Sequence, residues 1–344
     1  MTLNLNNPCV CICIPTYNAE ATIEETLISI LKQTYKNLVI KVIDNCSKDN
    51  TLAIVRNFSD PRIKIYENEI NIGGEGNFNR CIQLAIGPYT AIYHADDVYE
   101  HDIVQKQVDF LQNNPNVGVV LTEAKLIDDG SNTISYSKIP RSIKTKDDIY
   151  NFTQLFKGIL KYSNFLFCPS AMVKTDIYKK EIVVWRKELF YSSGDLDVWL
   201  RIAINHSVGI IPLPLINYRI SNSQWSAEVR RSSKRADFFL VMDYYLNQDY
   251  VKKNITQVDL RNYSNLDRRD RVMRAVNLFL QNNTNEAYSL CSDVFSFVAL
   301  KEAIFNKRGK GTLIFGGIIK LSILTNLQNA GKKMIQGLIM KYNK

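Results

Sequence analysis

The sequence lacks the signatures that would remove it from the class of folded, non-spanning chains. It has no long low-complexity tract and only 22% charged residues, so disorder describes it poorly. Its seven cysteines are an odd number, and their spacing outlines no disulfide framework. Cys9, Cys11 and Cys13 alternate with Val10, Ile12 and Ile14 as the two faces of one strand would, which favours small core residues over a thiolate metal cluster. No stretch approaches the roughly 18 apolar residues of a membrane span. The longest candidate, Leu313 to Leu324, is short and carries Lys320. The start lacks the basic residues and apolar run of a secretory signal. With the unpaired thiols, that leads to the expectation of a reducing cytoplasm. No nucleic-acid recognition motif accompanies the positive charge, so nucleic acid is not an expected partner.

What is present is apolar substance and an uneven charge. The 344 residues are 46% hydrophobic, ample for a large core with a smaller appendage. Residues 1–228 hold 23 basic and 25 acidic side chains, whereas residues 229–344 hold 20 and 9. The whole positive excess therefore lies in the last third, which suits an anionic membrane leaflet and a peripheral position on the inner face of the cell membrane. Arg230, Arg231, Lys234 and Arg235 precede Phe238-Phe239-Leu240, and Lys320, Lys332 and Lys333 interrupt the apolar run Leu313–Met340. That run reads either as an interfacial amphipathic helix or as a basic helical appendage that packs on the chain or on a second subunit.

Residues 9–14 and 38–43 are short β-branched runs of the kind found in buried parallel strands. Ile63–Tyr66, Tyr89–Tyr93 and Val117–Leu121 are further strand candidates. Helical spacing occurs in Glu20–Leu31, Thr51–Phe58, Phe78–Ala85 and Ile103–Leu111. This alternation predicts an α/β fold with a mostly parallel sheet covered by helices. After a turn at Asp128-Asp129-Gly130, Thr145 and Asp148 resemble a helix start, with Ile149–Ile159 as the helix. Asp195–Ile204 is another helix and Val208–Ile211 a strand. From Glu228 onward the chain is basic and helix-like. The expected organisation is residues 1–125 and 126–227 as two halves of one domain, then a helical basic region at 228–344.

Ligands of such sheets bind beyond the carboxyl ends of the strands, and the polar clusters follow the strands here. Pro15-Thr16-Tyr17-Asn18 follows the first, Asp44-Asn45-Cys46-Ser47 the second, and His94-Ala95-Asp96-Asp97 the fourth. Adjacent acids at a strand end serve either a turn or a hard cation whose shell substrate phosphates complete.

In order and spacing these clusters resemble the nucleotide-binding half of the inverting family 2 glycosyltransferases of the GT-A fold, which include polysaccharide and O-antigen transferases. The matching elements are Pro15-Thr16-Tyr17-Asn18, then Asp44, Ser47, Asp49 and Thr51 of the second motif. Asn71-Ile72-Gly73, Asn77-Phe78-Asn79-Arg80 and Gly87-Pro88-Tyr89 follow, and the aspartate motif closes the series. Downstream, Gly194-Asp195-Leu196-Asp197-Val198-Trp199-Leu200-Arg201 is similar to the family's E-D-x-D-x-W-L-R segment.

The resemblance implies a transferase that moves a sugar from a nucleoside diphosphate, UDP by preference, onto a hydroxyl of a saccharide or lipid-linked acceptor. It implies a Mn²⁺ or Mg²⁺ ion at Asp96, a general base at Asp195, and a nucleotide base held by Thr16, Tyr17 and Asp44. Pro15, Asn18, Asn71, Gly73, Asn77, Asn79, His94 and Asp97 complete the implied donor site. A helix N-cap is the structural alternative for Asp195, and Asp197 is the expected bystander two residues on.

Several positions depart from the family. His94 replaces the first Asp of D-x-D, Asn45 and Cys46 replace Asp and Gly, Phe78 replaces Arg, Gly194 replaces Glu, and Ser221 replaces His. His94, Gly194 and Ser221 suggest a catalytically silent membrane-surface relative as the alternative. A sugar-phosphate nucleotidyltransferase needs a Gly-rich, Arg-containing loop after the first strand, which Pro15-Thr16-Tyr17-Asn18 does not provide.

Overall fold

Apolar residues that alternate with nothing polar need protein on both faces, and this decides the centre of the structure. The computed structural model describes residues 7–221 and 232–342. Arg230, Arg231 and the expected boundary at residues 227 and 228 lie outside them. The chain divides into two compact units, one of the residues up to Ile159 with Asn164–Ser221, the other of Leu160–Ser163 with the described residues from 232 on.

In the first unit, β1 (Val10–Thr16) pairs in parallel with β2 (Leu38–Asp44) and with β4 (Tyr89–Ile92), and β2 pairs in parallel with β3 (Ile63–Glu67). Helices α1 (Ile23–Leu31), α2 (Thr51–Arg56) and α3 (Gly74–Leu84) make the crossovers. Val10, Ile12 and Ile14 are fully buried among Leu27, Ile30 and Ile40, and Cys11 and Cys13 are buried on the opposite face. Cys13 Sγ lies 3.6 Å from the Cys81 carbonyl. Contact with Cys13 and burial push the Cys11 thiol up, while the Cys13 thiol, lowered by Cys11, is raised on balance by Cys81 and burial, so both remain protonated core residues. Pro15 lies beyond Cys13–Ile92, the last pair between β1 and β4, so its missing N–H costs no bond there.

The second half of the sheet departs from the alternation. β6 runs from Val117 to Ile127, longer than the expected Val117–Leu121, and β10 runs from Ser207 to Arg219 rather than over Val208–Ile211 alone. These two pair in parallel over their length. Short antiparallel ladders complete the sheet: β9 (Met172–Lys174) bridges β4 and β6, β5 (Val98–Tyr99) and β8 (Ile149–Tyr150) pair with β10, and β7 (Thr133–Ser137) pairs with β6. Among the described residues the strand order is β3-β2-β1-β4-β9-β6-β10-β5. The sheet is thus mixed, because strands of two or three residues carry too little periodicity to read.

The helix expected at Ile149–Ile159 needs correction. Ile149 and Tyr150 are strand residues, and Thr145 Oγ1 donates to the Ile149 carbonyl rather than capping a helix. Helix α5 (Phe152–Tyr162), which follows α4 (Ile103–Asn113), starts three residues later. There Asn151 Oδ1 accepts from the Gln154 N–H at 2.9 Å, and Gln154 Oε1 accepts from the Asn151 N–H at 3.0 Å. This reciprocal capping box outcompetes the Thr-Asp signal upstream.

Helix α6 (Gly194–Asn205) precedes β10. The second unit is helical in its described residues, with α7 (Phe238–Leu246), α8 (Gln257–Leu280), α9 (Thr284–Leu290), α10 (Phe297–Phe305), α11 (Lys307–Leu324) and α12 (Gln328–Tyr342) as its main elements. Its core gathers Val272, Val276, Phe279, Cys291, Phe315 and Ile335. The run Leu313–Met340 is two helices rather than one. Asn326, at φ 57°, closes α11 with bonds from Asn326 N to Ile323 O and from Leu327 N to Ser322 O, a Schellman motif.

Candidate active site

The carboxyl ends of β1, β2 and β4 lie side by side, with Thr16 directly opposite Asp44. The polar residues there mostly bind the backbone of their neighbours. Asp44 is buried and takes the Ser47 N–H at 2.9 Å and the Ser47 hydroxyl at 2.5 Å. Asn18 Oδ1 accepts from Lys48 N, and the Asn18 N–H donates to Ser47 Oγ. Thr51 Oγ1 accepts from the Ala19 N–H. Thr16 is buried with its hydroxyl on the Ile14 carbonyl, while Tyr17 is exposed.

A web of amides joins the next pieces. Asn45 Nδ2 donates to Asn71 Oδ1 at 2.8 Å, Asn45 Oδ1 accepts from Asn68 and from the Ile72 N–H, and Asn77 Nδ2 donates to the Ile43 carbonyl. Asn79 Oδ1 accepts from the Trp185 N–H at 2.7 Å. Asn71, Asn77 and Asn79 therefore spend amide groups on scaffolding. Cys46, where the family has Gly, sits at φ 65°, so the turn keeps the left-handed conformation despite the substitution. Gly73 has φ 77°, and Gly87 has φ 72° in a site where a Cβ would lie 2.8 Å from the Cys9 carbonyl oxygen.

Beyond β4 the chain turns through His94, Asp96 and Asp97. Tyr93 stacks on Tyr99 at 3.9 Å, and the His94 N–H donates to the Tyr99 hydroxyl at 2.7 Å. His94, Asp96 and Asp97 each offer a ligand atom, all within 4.8 Å of one another. His94 Nε2 and Asp97 Oδ2 are buried without a hydrogen-bond partner. Burial pushes the Asp97 carboxyl up, reinforced by the Asp96 charge, and burial lowers the His94 imidazole. A neutral imidazole and a repelled carboxylate pair with orphaned atoms fit a divalent cation.

Arg219, which the sequence reading passed over, holds this turn. Its N–H donates to Asp97 Oδ1 at 2.9 Å and its Nε to the Asp96 carbonyl at 2.9 Å. Nη1 donates to the carbonyls of Asp128 and Asp129, and Nη2 to Glu25 Oε2 at 2.6 Å. The signal available was an arginine ending a strand of otherwise uncharged residues.

Asp195 is the second residue of α6, which starts after Ser193, so it stands in the first turn and is not the N-cap. Burial raises its carboxyl to about 6, against the lowering effect of nearby backbone N–H groups. The Cys168 thiol is pushed up by burial and then by the charges of both Asp195 and Asp97, which places Cys168 within electrostatic reach of the helix start and the strand end. Asp197 is fully buried and pairs with Arg186 and with Arg201 Nε at 3.0 Å. It is a structural residue, not a neutral bystander. Phe78 stacks on Trp185 at 4.4 Å and meets the His94 ring edge-on, so an aromatic stack occupies the position of the expected arginine.

The family model described as Glycosyl transferase family 2 matches residues 11–180. An uncharacterized glycosyltransferase of Rickettsia typhi is 30% identical over 226 residues, covering 65% of this chain and 68% of the relative. A UDP-Glc:alpha-D-GlcNAc-diphosphoundecaprenol beta-1,3-glucosyltransferase of Escherichia coli is 28% identical over 228 residues, 66% of this chain and 83% of that protein. The crystal structure of S. aureus TarS 1-349 in complex with UDP-GlcNAc superposes with a TM-score of 0.59 at 17% identity, covering 92% of each chain. That likeness carries the GT-A fold.

Replacing Arg219 by Ala is expected to lower the unfolding free energy by about 3 kcal/mol, because it strips partners from Glu25 and from the carbonyls of Asp96, Asp128 and Asp129, while Asp97 keeps its bond from the backbone N–H. Arg219→Lys should recover only part of this, since an ammonium cannot reproduce the fork. Urea unfolding of the three chains measures it, and a loss under about 1 kcal/mol in the Ala variant would deny Arg219 its clasping role.

Proposed function

The chain belongs to glycosyl transferase family 2, and from that premise we propose that it moves a sugar from a nucleoside diphosphate, UDP by preference, to a hydroxyl of a saccharide or lipid-linked acceptor with inversion. It is a glycosyltransferase. The observation that carries the finer reading is the pair of differently tuned carboxylate centres, both within electrostatic reach of Cys168. The strand-end turn gathers His94, Asp96 and Asp97, while Asp195 stands alone at a helix start with a raised pKa. The named donor of the Escherichia coli relative and the ligand of the TarS crystal support UDP, and the name of the former supports a diphospholipid-linked acceptor.

Asp96, with His94 and Asp97 beside it, would hold a Mn²⁺ or Mg²⁺ ion. Such an ion offsets the negative charge that develops on the departing diphosphate. Asp195 takes the proton of the acceptor hydroxyl while the new oxygen–carbon bond forms and the bond to the diphosphate breaks. Because this is one displacement on the face opposite the leaving group, the anomeric centre inverts and no enzyme nucleophile is needed. Thr16, Tyr17 and Asp44 remain the proposed nucleotide-base contacts, with Asp44 preorganised by Ser47.

Asp96→Asn should lower turnover by several orders of magnitude and weaken Mn²⁺-dependent UDP binding in calorimetry. Unchanged affinity and rate would take Asp96 out of the metal site.

Asp195→Asn should cost about 10² to 10⁴ in rate while donor binding survives. In the wild-type chain the rate should rise with pH through about 6 and then level, because the base acts only when ionised. The stability effect has the opposite sense. A carboxyl raised from 3.8 to about 6 loses stability as pH climbs between those values. The Asn variant should therefore be at least as stable at pH 7.5, by up to about 3 kcal/mol, with the gain gone below pH ~4. A dead variant that also melts early would instead mean lost folding. Asp197→Asn is no control, since it leaves two guanidinium groups beside a neutral amide.

We also propose that the basic helical region meets anionic lipid. Residues 295–344 carry nine basic side chains and one acidic, and Phe297, Ile304, Leu321, Leu324, Leu327 and Met340 are all exposed there. No helix among the described residues is long and apolar enough to cross a membrane. Sedimentation should show binding to vesicles with anionic lipid and little to neutral ones, since each cation near such a surface adds about 1 kcal/mol. Equal partitioning would defeat the idea.

A further inference from the structure

The second unit contains a cavity of about 500 Å³, within the usual range of about 300–1,000 Å³ for small-ligand sites. Its lining includes the apolar Leu266, Val294 and Leu313 and cations from three segments: Lys161, Arg269 of α8 and Arg308 of α11. None of the three has a carboxylate partner among the described residues. Neighbouring arginines do have partners. Arg268, also in the lining, pairs with Asp293 at 3.0 Å, Arg271 pairs with Asp267 and Asp293, and Arg274 pairs with Asp270. Of the four cations in the lining, Arg268 is therefore compensated, whereas Lys161, Arg269 and Arg308 have no such partner among the described residues.

The single carboxylate in the lining, Glu302, forms no ion pair with these cations among the described residues. It accepts from two amides, Asn265 Nδ2 at 3.0 Å and Asn306 Nδ2 at 2.8 Å. Burial and the Arg308 charge both push the Arg269 guanidinium below its ordinary value, the signature of like charges held close. Arg308 lies in the first turn of α11, an 18-residue helix whose amino end adds positive potential at the same place.

We propose that this cavity is a phosphoryl-anion site, taking a phosphate or diphosphate group between Arg269, Arg308 and Lys161. Two guanidinium forks and an ammonium suit phosphate oxygens, and an anion there relieves the repulsion between the arginines. The apolar part of the lining admits a group attached to the phosphate, so the source is either a free phosphorylated molecule or a lipid headgroup. The site lies wholly within the helical unit and does not depend on the transfer reaction.

The test uses the full chain in metal-free buffer. Inorganic pyrophosphate is titrated calorimetrically into the wild type and into Arg269→Gln, Arg308→Gln and Lys310→Gln. Lys310 is on the same helix but outside the lining, so it controls for bulk charge. A parallel arm measures binding to phosphatidylcholine vesicles with and without phosphatidic acid. The expected result is at least about tenfold weaker binding in both arginine variants, with Lys310→Gln close to wild type. Loss in the pyrophosphate arm identifies a free phosphorylated ligand, and loss in the vesicle arm alone identifies a headgroup. Binding must also persist in Asp96→Asn, because its disappearance there would put the anion at the strand-end turn. Thermal melts should show both arginine variants folded, since neither side chain has an acidic partner to lose, and Lys161→Gln replaces either that is not. The proposal is overturned if wild-type binding is absent in both arms, or if the arginine variants match Lys310→Gln.

Discussion

The strand-end turn His94–Asp97 stays where it is because Arg219 grips it from the end of a different strand. One buried guanidinium reaches the Asp96 carbonyl, the carbonyls after β6 and Glu25 of α1, while the same residue's N–H takes Asp97. Two adjacent carboxylates would otherwise repel each other, and burial withholds the solvent that would screen them. Arg219 uses only one oxygen of Asp97, and the other, like His94 Nε2, is buried without a hydrogen bond. The constraint thus fixes the turn without consuming the atoms that a cation would need.

The same division of labour runs through the carboxyl edge of the sheet. Asp44, Ser47, Asn18 and Thr51 tie the loops after β1 and β2 together, and the amides of Asn45, Asn68, Asn71 and Asn77 join them to the start of α3. Side chains that a motif reading assigns to a ligand are here the reason the ligand's surroundings are rigid. Rigidity of that kind is what positions reacting groups, so the two readings do not compete. Asp195 differs in kind, since its environment withholds a charged partner and raises its pKa. Two residues on, Asp197 receives two arginines and becomes structural.

In the helical unit the distribution of compensation matters more than net charge. Arg268, Arg271 and Arg274 of α8 find acids, while Arg269, which lines the cavity with Arg308, finds none among the described residues. An excess of cations in a sequence says that something anionic is favoured. Only the pattern of pairing locates where.

What the sequence determined by itself is local and repetitive. Unbroken β-branched runs at Val10–Ile14 and Leu38–Ile43 required a doubly covered sheet, helical spacing named the crossovers, and polar clusters after each strand marked the ligand edge. Gly73 and Gly87 carried backbone conformations that other residues resist. What only the tertiary structure decided depends on partners distant along the chain. The two-residue strands β5 and β8 exist because β10 pairs with them, and α5 begins at Phe152 because Asn151 and Gln154 cap each other more completely than the residues upstream. Arg219 is separated from Glu25 by nearly two hundred residues, and the contrast between Asp195 and Asp97 arises from burial and from neighbours on other elements. Spacing along a chain records periodicity, whereas desolvation and charge pairing are properties of the packed interior, and those set which of several similar aspartates can act as a base.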